Sequence, residues 1–190
     1  MLNPLLLDIP NSLESERLII RAPRLDDGPS MNKAVCDSLE KLKPWMIWAQ
    51  AAPSLEQSIT QIRKSHINFL SREDLQLLLF CKETNQLVGS SGLHRIDWEV
   101  KKFEIGYWVN SSFAKKGYIT EAVSAITNFA IEQLQANRLE IRCDELNVQS
   151  AKVAERCGFT LEGILRNDSL SADGQLRNTK VYSKVRGIDF

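Results

Sequence analysis

No two of the four cysteines, Cys36, Cys81, Cys143 and Cys157, stand at CxxC spacing, and the two histidines, His66 and His94, lie far from them in sequence. That scatter gives no zinc or redox motif, so no metal is expected. The thiols read as small apolar residues of a reducing compartment. Net charge is also lacking: 24 Lys and Arg balance 24 Asp and Glu. Without a basic field the chain has no long-range attraction for nucleic acid or for an anionic membrane. Nor is there a run of the roughly 20 apolar residues that a bilayer span needs. The opening MLNPLLLDIPN carries an apolar patch at Leu5 to Leu7, but no basic residue precedes it and Pro4 and Asp8 bracket it. It is too short for a signal peptide, which makes the cytoplasm the expected location. Repeats and low-complexity tracts are missing as well.

What is present suits an ordinary globular chain: 190 residues, 43% hydrophobic and 25% charged. One domain over 1–190 is expected. Leu18 and Ile20 alternate with charged neighbours as a strand that Pro23 ends. Met31, Ala34, Val35 and Leu39 then recur at helical spacing, from about Pro29 to Leu42. Ser54 and Gln57 form a capping box for a second helix running to about Leu70. The stretch from Leu75 to Asp97 reads as two strands about an ETNQ turn, and FEIGYWV as a third. After the loop NSSFAKK, the apolar positions from Ile119 to Leu134 mark a long amphipathic helix. RLEIRCDE alternates Leu139, Ile141 and Cys143 inward, and a helix from about Gln149 ends at the C-cap Gly158. Two last strands flank Asp173-Gly174. The order predicts one mixed, mostly antiparallel α/β (α+β) sheet flanked by about four helices.

The segment IGYWVNSSFAKKGYITEA places a strand, a polar loop with Lys115, Lys116 and Gly117, and a helix N-terminus in succession. The first four amides of a helix lack internal partners and carry partial positive charge, so a phosphate can be held there by backbone alone. Each such contact contributes about 0.3–1 kcal/mol when exposed. The same residues also read as a solvated lysine pair ahead of a helix.

IGYWV, KKGYITEA, RLEIRCDELNVQSAKVAERCGF and the following LEG, in that order, resemble the Gcn5-related N-acetyltransferases. More narrowly, they resemble the ribosomal-protein N-terminal alanine and serine acetyltransferase branch, over about Glu16 to Val185. The resemblance implies the acyl-CoA N-acyltransferase fold, acetyl-CoA as co-substrate and an amine as acceptor. The favoured acceptor is a protein N-terminal amine; a small-molecule amine and a catalytically silent acyl-CoA-binding module are the alternatives. A second copy of the chain is left open as a partner.

Carried over by position, the amides of Lys115, Lys116, Gly117, Tyr118, Ile119 and Thr120 would hold the pyrophosphate, and Trp108 and Val109 would line the pantetheine arm. Ala114 and Ile119 depart from the family's Q/R-x-x-G-x-G/A loop. Asn147 matches an asparagine that hydrogen-bonds the pantetheine, and also reads as a helix cap. Ser150 matches the serine that protonates the departing thiolate, while the tyrosine used by other members is here Ala154. The branch's acid falls on Ser169, which makes the adjacent Asp168 the candidate base, with Glu104 and Glu162 as alternatives. Trp45 and Trp48 resemble the tryptophan-bearing loop that walls the acceptor cleft. A strand amide near Val109 would polarise the carbonyl.

Overall fold

The computed structural model describes residues 3–171 and 173–190. Eight strands, β1 (Ser12–Glu14), β2 (Leu18–Arg21), β3 (Leu75–Cys81), β4 (Leu87–Asp97), β5 (Lys102–Val109), β6 (Arg138–Asp144), β7 (Thr160–Leu170) and β8 (Leu176–Val185), form one sheet in the order β1-β2-β3-β4-β5-β6-β8-β7. Every neighbouring pair is antiparallel except β5 and β6. Four helices flank it: α1 (Gly28–Leu42), α2 (Leu55–Ser71), α3 (Tyr118–Glu132) and α4 (Val148–Arg156). The mixed α/β sheet with four helices is the fold class expected from the sequence.

Period-two alternation divides the core between the faces. On β3, Leu77 and Leu79 join the main cluster with Val123, Ile126 and Ala130 of α3 and Ala151 and Ala154 of α4. Leu78 and Phe80 point the other way, into a smaller cluster with Met31, Ala34 and Val35 of α1 and Ile62 of α2. On β5, Ile105, Tyr107 and Val109 pack with the main cluster, whereas Trp108 packs with the smaller one. The helix starts follow local chemistry. Ser54 and Gln57 close the expected capping box on α2, and Gly117 caps α3 with a left-handed φ of 83°.

Three features depart from the sequence expectation. The strand β1 pairs with β2, yet Ser-Leu-Glu carries a single apolar residue and gives alternation nothing to register. NSSF tightens into a 3-10 turn at Ser111–Phe113, with the Asn110 side-chain Oδ1 accepting from the Ser112 amide at 3.1 Å. Of the four free thiols only Cys81 and Cys143 are buried; Cys157 is half-buried and Cys36 exposed. Ala172, beside the Asp173-Gly174 turn, lies outside the described residues. Among those described, no helix is long and apolar enough to cross a membrane.

The feature that positions a site is the short parallel ladder. β5 and β6 pair only at Lys102–Arg138, Phe103–Leu139 and Glu104–Glu140. Beyond it β5 stays with β4 as far as Val109, and β6 stays with β8 as far as Asp144. The sheet therefore splits between them. Phe103 is fully buried at the closed end of the split, edge-on to Trp98 with ring centroids 5.3 Å apart. Phe103→Ala should cost about 3–5 kcal/mol in urea unfolding. A loss under about 1 kcal/mol would mean that packing at this residue does not hold the junction.

Candidate active site

The loop that leaves β5 carries the clearest ligand-binding feature. No backbone N–H from Lys115 to Thr120 finds an acceptor among the described residues; Ala114 donates to Ser111, and the next intrahelical bond runs from Glu121 to Gly117. Six consecutive amides are thus open at the start of α3, where the macrodipole is positive. The first-turn acid does not cap them. Glu121 instead accepts from the Arg17 amide, Arg17 Nε and the Ser15 hydroxyl, each at 2.7 Å, which pins the β1–β2 turn onto α3. Burial pushes the Glu121 carboxyl up, but these bonds outweigh it and hold the group below the usual carboxylate range.

Not all the lysine charge is free. Lys116 Nζ donates to the Ser112 carbonyl at 2.9 Å, and Tyr118 turns its ring under Arg17, 4.3 Å from the guanidinium carbon. Ile119 is buried in the core. Arg17, which the sequence did not single out, donates to the Lys116 carbonyl at 3.0 Å and stands 3.4 Å from where a Cβ on Gly117 would lie. It adds a cation beside the open amides.

On the same face of the split stands a hydroxyl pair. Ser150 Oγ donates to Tyr107 Oη at 3.1 Å, and Tyr107 donates to the Ser150 carbonyl at 2.9 Å. Burial pushes the Tyr107 phenol well up, which keeps it protonated throughout the neutral range. The tyrosine thus reaches Ser150 from β5, whereas the sequence comparison looked for one on α4 at Ala154. Asn147 caps α4, its Oδ1 accepting from the Ser150 amide at 3.1 Å, while its Nδ2 has no acceptor among the described residues. The bond from Asn110 N to Val88 O sets the phase of the β4–β5 ladder. By the two-residue alternation of an antiparallel ladder, the Tyr107 and Val109 amides point away from β4, into the split.

A cavity of about 1530 Å³ opens between α1, α2, the split, the start of α4 and the β7–β8 hairpin, and Tyr107, Asn147 and Ser150 line it as well. Trp45, Trp48 and Trp108 line it, and the Trp48 and Trp108 rings meet edge to face with centroids 6.1 Å apart. Val109 does not line it and packs in the main core instead. Arg177 of β8 ties the tryptophan loop to the sheet, donating to the Pro44 carbonyl at 2.6 Å and pairing with Asp144 at 3.3 Å. The residues from Lys115 to Thr120 are not among the lining, so the amide cradle and this cavity lie apart.

The candidate bases differ in availability. Asp168 lines the cavity, but a hydrogen bond from Thr179 and the guanidinium of Arg142, 2.9 Å away, hold its carboxyl below the usual range and make it a weak proton acceptor. Glu162 is clamped by Arg138 at 2.8 and 2.5 Å and pushed down to about 2, and it does not line the cavity. Glu104 lines the cavity and accepts from Arg95 at 3.1 Å. Ser169 lines it too. The sequence also passed over His94, whose ring faces the cavity and binds Asp74 at 2.7 Å. Alternation on β4 was the available signal, since it puts His94 on the face of Ser90.

Comparison with known proteins gives a consistent picture. A family model described as the acetyltransferase (GNAT) domain matches residues 17–160. The ribosomal-protein-serine acetyltransferase of Escherichia coli (strain K12) is 28% identical over 171 residues, 90% of this chain and 94% of its own. Among solved structures, the microcin C7 self-immunity acetyltransferase MccE, in complex with acetyl-CoA and AMP, superposes with a TM-score of 0.86 at 25% identity, over 93% of this chain and 97% of that one. RimL, the ribosomal L7/L12 alpha-N-protein acetyltransferase in complex with coenzyme A, gives 0.84 at 25% identity over 95% and 98%.

Two outcomes follow from the geometry. Gly117→Glu should abolish the thermal stabilisation that CoA gives the unaltered chain, whereas Gly117→Ala should cost about 1–2 kcal/mol for its left-handed φ and keep most of it. A full shift in Gly117→Glu would contradict the amide cradle. Glu162, depressed in the folded state from 4.5 to about 2, contributes stability that is complete above its unfolded pKa and is lost as pH falls through that window. Arg138→Gln should therefore flatten the fall of Tm over that acid range, read by scanning calorimetry.

Proposed function

The chain belongs to the acetyltransferase (GNAT) domain family, and from that premise we propose that it moves the acetyl group of acetyl-CoA to a primary amine. The favoured acceptor is the N-terminal amine of a protein, such as a ribosomal protein. The observation that carries this reading is the row of six open amides from Lys115 to Thr120 in the loop that follows the parted strand β5. Bare amides at a helix N-terminus are what a diphosphate needs, and the residues present fit a CoA.

Acetyl-CoA supplies a thioester whose carbonyl carbon is the electrophile. The chain supplies the rest. The amides from Lys115 to Thr120 hold the diphosphate, with Arg17 and Lys115 adding charge. Asn147 Nδ2 is free to donate to an amide carbonyl of the pantetheine arm. The Tyr107 and Val109 amides offer donors to the thioester oxygen inside the split. Ser150, held by Tyr107, offers its hydroxyl to the leaving sulfur. The ring of Trp108, which faces the smaller cluster, serves the acceptor side and not the arm.

Size bears on the acceptor. Small-molecule sites run to about 300–1,000 Å³; the cavity of about 1530 Å³ takes in the Tyr107–Ser150 end of the split as well as the Trp45, Trp48 and Trp108 walls, which leaves room for a peptide end beside the thioester. A small amine is the second reading; the similar MccE holds the small molecule AMP beside acetyl-CoA. A silent module would bind CoA and release no thiol. As a further partner, a second copy of the chain fits the edge strand β7, where Leu161, Ile164 and Leu165 are exposed. A single acetyltransferase unit over 1–190, in a reducing cytoplasm, completes the reading.

With acetyl-CoA and a short peptide bearing an N-terminal serine, the protein should release free thiol and add one acetyl group to the peptide, followed by a thiol reagent and mass spectrometry. Ser150→Ala should lower kcat about 10- to 100-fold and leave CoA affinity unchanged. A fully active Ser150→Ala would remove that residue from the mechanism.

A further inference from the structure

Resting on the acetyl-transfer reading, we infer that His94 takes the proton from the acceptor amine, with Asp74 as its positioning residue. His94 Nδ1 lies 2.7 Å from Asp74 Oδ2. An ionised carboxylate can only accept a hydrogen bond, so the ring proton sits on Nδ1 and the lone pair is left on Nε2. That edge of the ring abuts β5. A Cβ on residue 106 would stand 3.0 Å from His94 Cδ2 and 3.3 Å from Nε2, and Gly106 is what lets the imidazole lie there. Gly106 comes two residues after Glu104, the last β5 residue paired with β6, which places Nε2 where the split begins. His94, Asp74 and Gly106 all line the acceptor cavity.

The carboxylates are otherwise engaged. Asp168 is paired with Arg142 at 2.9 Å and Glu104 with Arg95 at 3.1 Å, so each carboxylate already faces a cation. His94 and Asp74 are 29% and 31% exposed, open to a substrate yet partly shielded from water. The charges around the ring are Asp74 at the entry to β3, Arg95 beside it on β4, Glu104 opposite it on β5, Lys64 on the α2 wall, and the Arg142–Asp168 pair across the split. The step balances: an ammonium and a thioester give an amide, a free thiol and one proton. Nε2 accepts that proton from the ammonium, freeing the nitrogen lone pair to attack the carbonyl carbon. The C–S bond breaks, the electron pair leaves on sulfur, and the nitrogen's second proton is the one the thiol finally carries.

The test uses the full chain, saturating acetyl-CoA and a short peptide with an N-terminal serine, across a pH series. His94→Gln should lower kcat/KM about 100-fold at pH 7, with acetyl-CoA affinity within about twofold. The deficit should narrow above about pH 8, where an α-amino group deprotonates unaided. Asp74→Asn, which no longer fixes the tautomer, should lower kcat by about tenfold and carries the test if His94→Gln does not fold. An active unaltered protein with both variants at its rate overturns the His94 assignment alone. So does a loss that is equal at every pH and tracked by a fall in acetyl-CoA affinity, since that is a structural effect. An unaltered protein that binds acetyl-CoA and releases no thiol overturns the acetyl-transfer reading, and this inference falls with it.

Discussion

Three residue pairs hold β5 to β6, and then the ladder stops. A parallel pair whose partners are each committed elsewhere, β5 to β4 and β6 to β8, is free to diverge without leaving the outer edges of either strand unpaired. What it leaves unpaired is the inner edge of β5, in the middle of an otherwise continuous sheet. Buried backbone groups without partners are costly, so an inner edge of this kind calls for a ligand. The closed end is fixed by apolar packing at Phe103, Ile105, Leu139 and Ile141, all almost fully buried. The open end is left to polar groups.

Alternation along β5 then gives the two faces separate work. Tyr107 turns to the α3–α4 side and meets Ser150; Gly106 and Trp108 turn to the α1–α2 side and meet His94 and Trp48. On the reading proposed above, the cofactor would meet backbone amides and hydroxyls, and the acceptor aromatic walls, an imidazole and paired charges. The Arg177 contacts to Pro44 and Asp144 tie the tryptophan loop, β6 and the last hairpin together across the cavity.

Elements with strong local chemistry were legible in the sequence. The capping box at Ser54 and Gln57, the alternating RLEIRCD strand, the glycine at the start of α3 and the one that ends α4 all stand where spacing placed them. The open amides from Lys115 to Thr120 were legible for the same reason: helix starts expose amides whatever the rest of the chain does. Contacts made by pairing distant segments were not. Arg17 reaches α3 across more than a hundred positions, Tyr107 meets Ser150 through the sheet, and His94 meets Asp74 only because β3 and β4 pair. Asp168 was reached by counting along the family's pattern, and counting does not reveal that Arg142 holds it.

Everything depends on whether the open amides grip a diphosphate beside the split. Hydrogen exchange of the backbone from Lys115 to Thr120, compared with and without saturating CoA, asks this directly. Strong slowing confined to that segment and to the parted end of β5 is the result expected. Unchanged exchange there, with CoA demonstrably bound and protection elsewhere, would contradict the account.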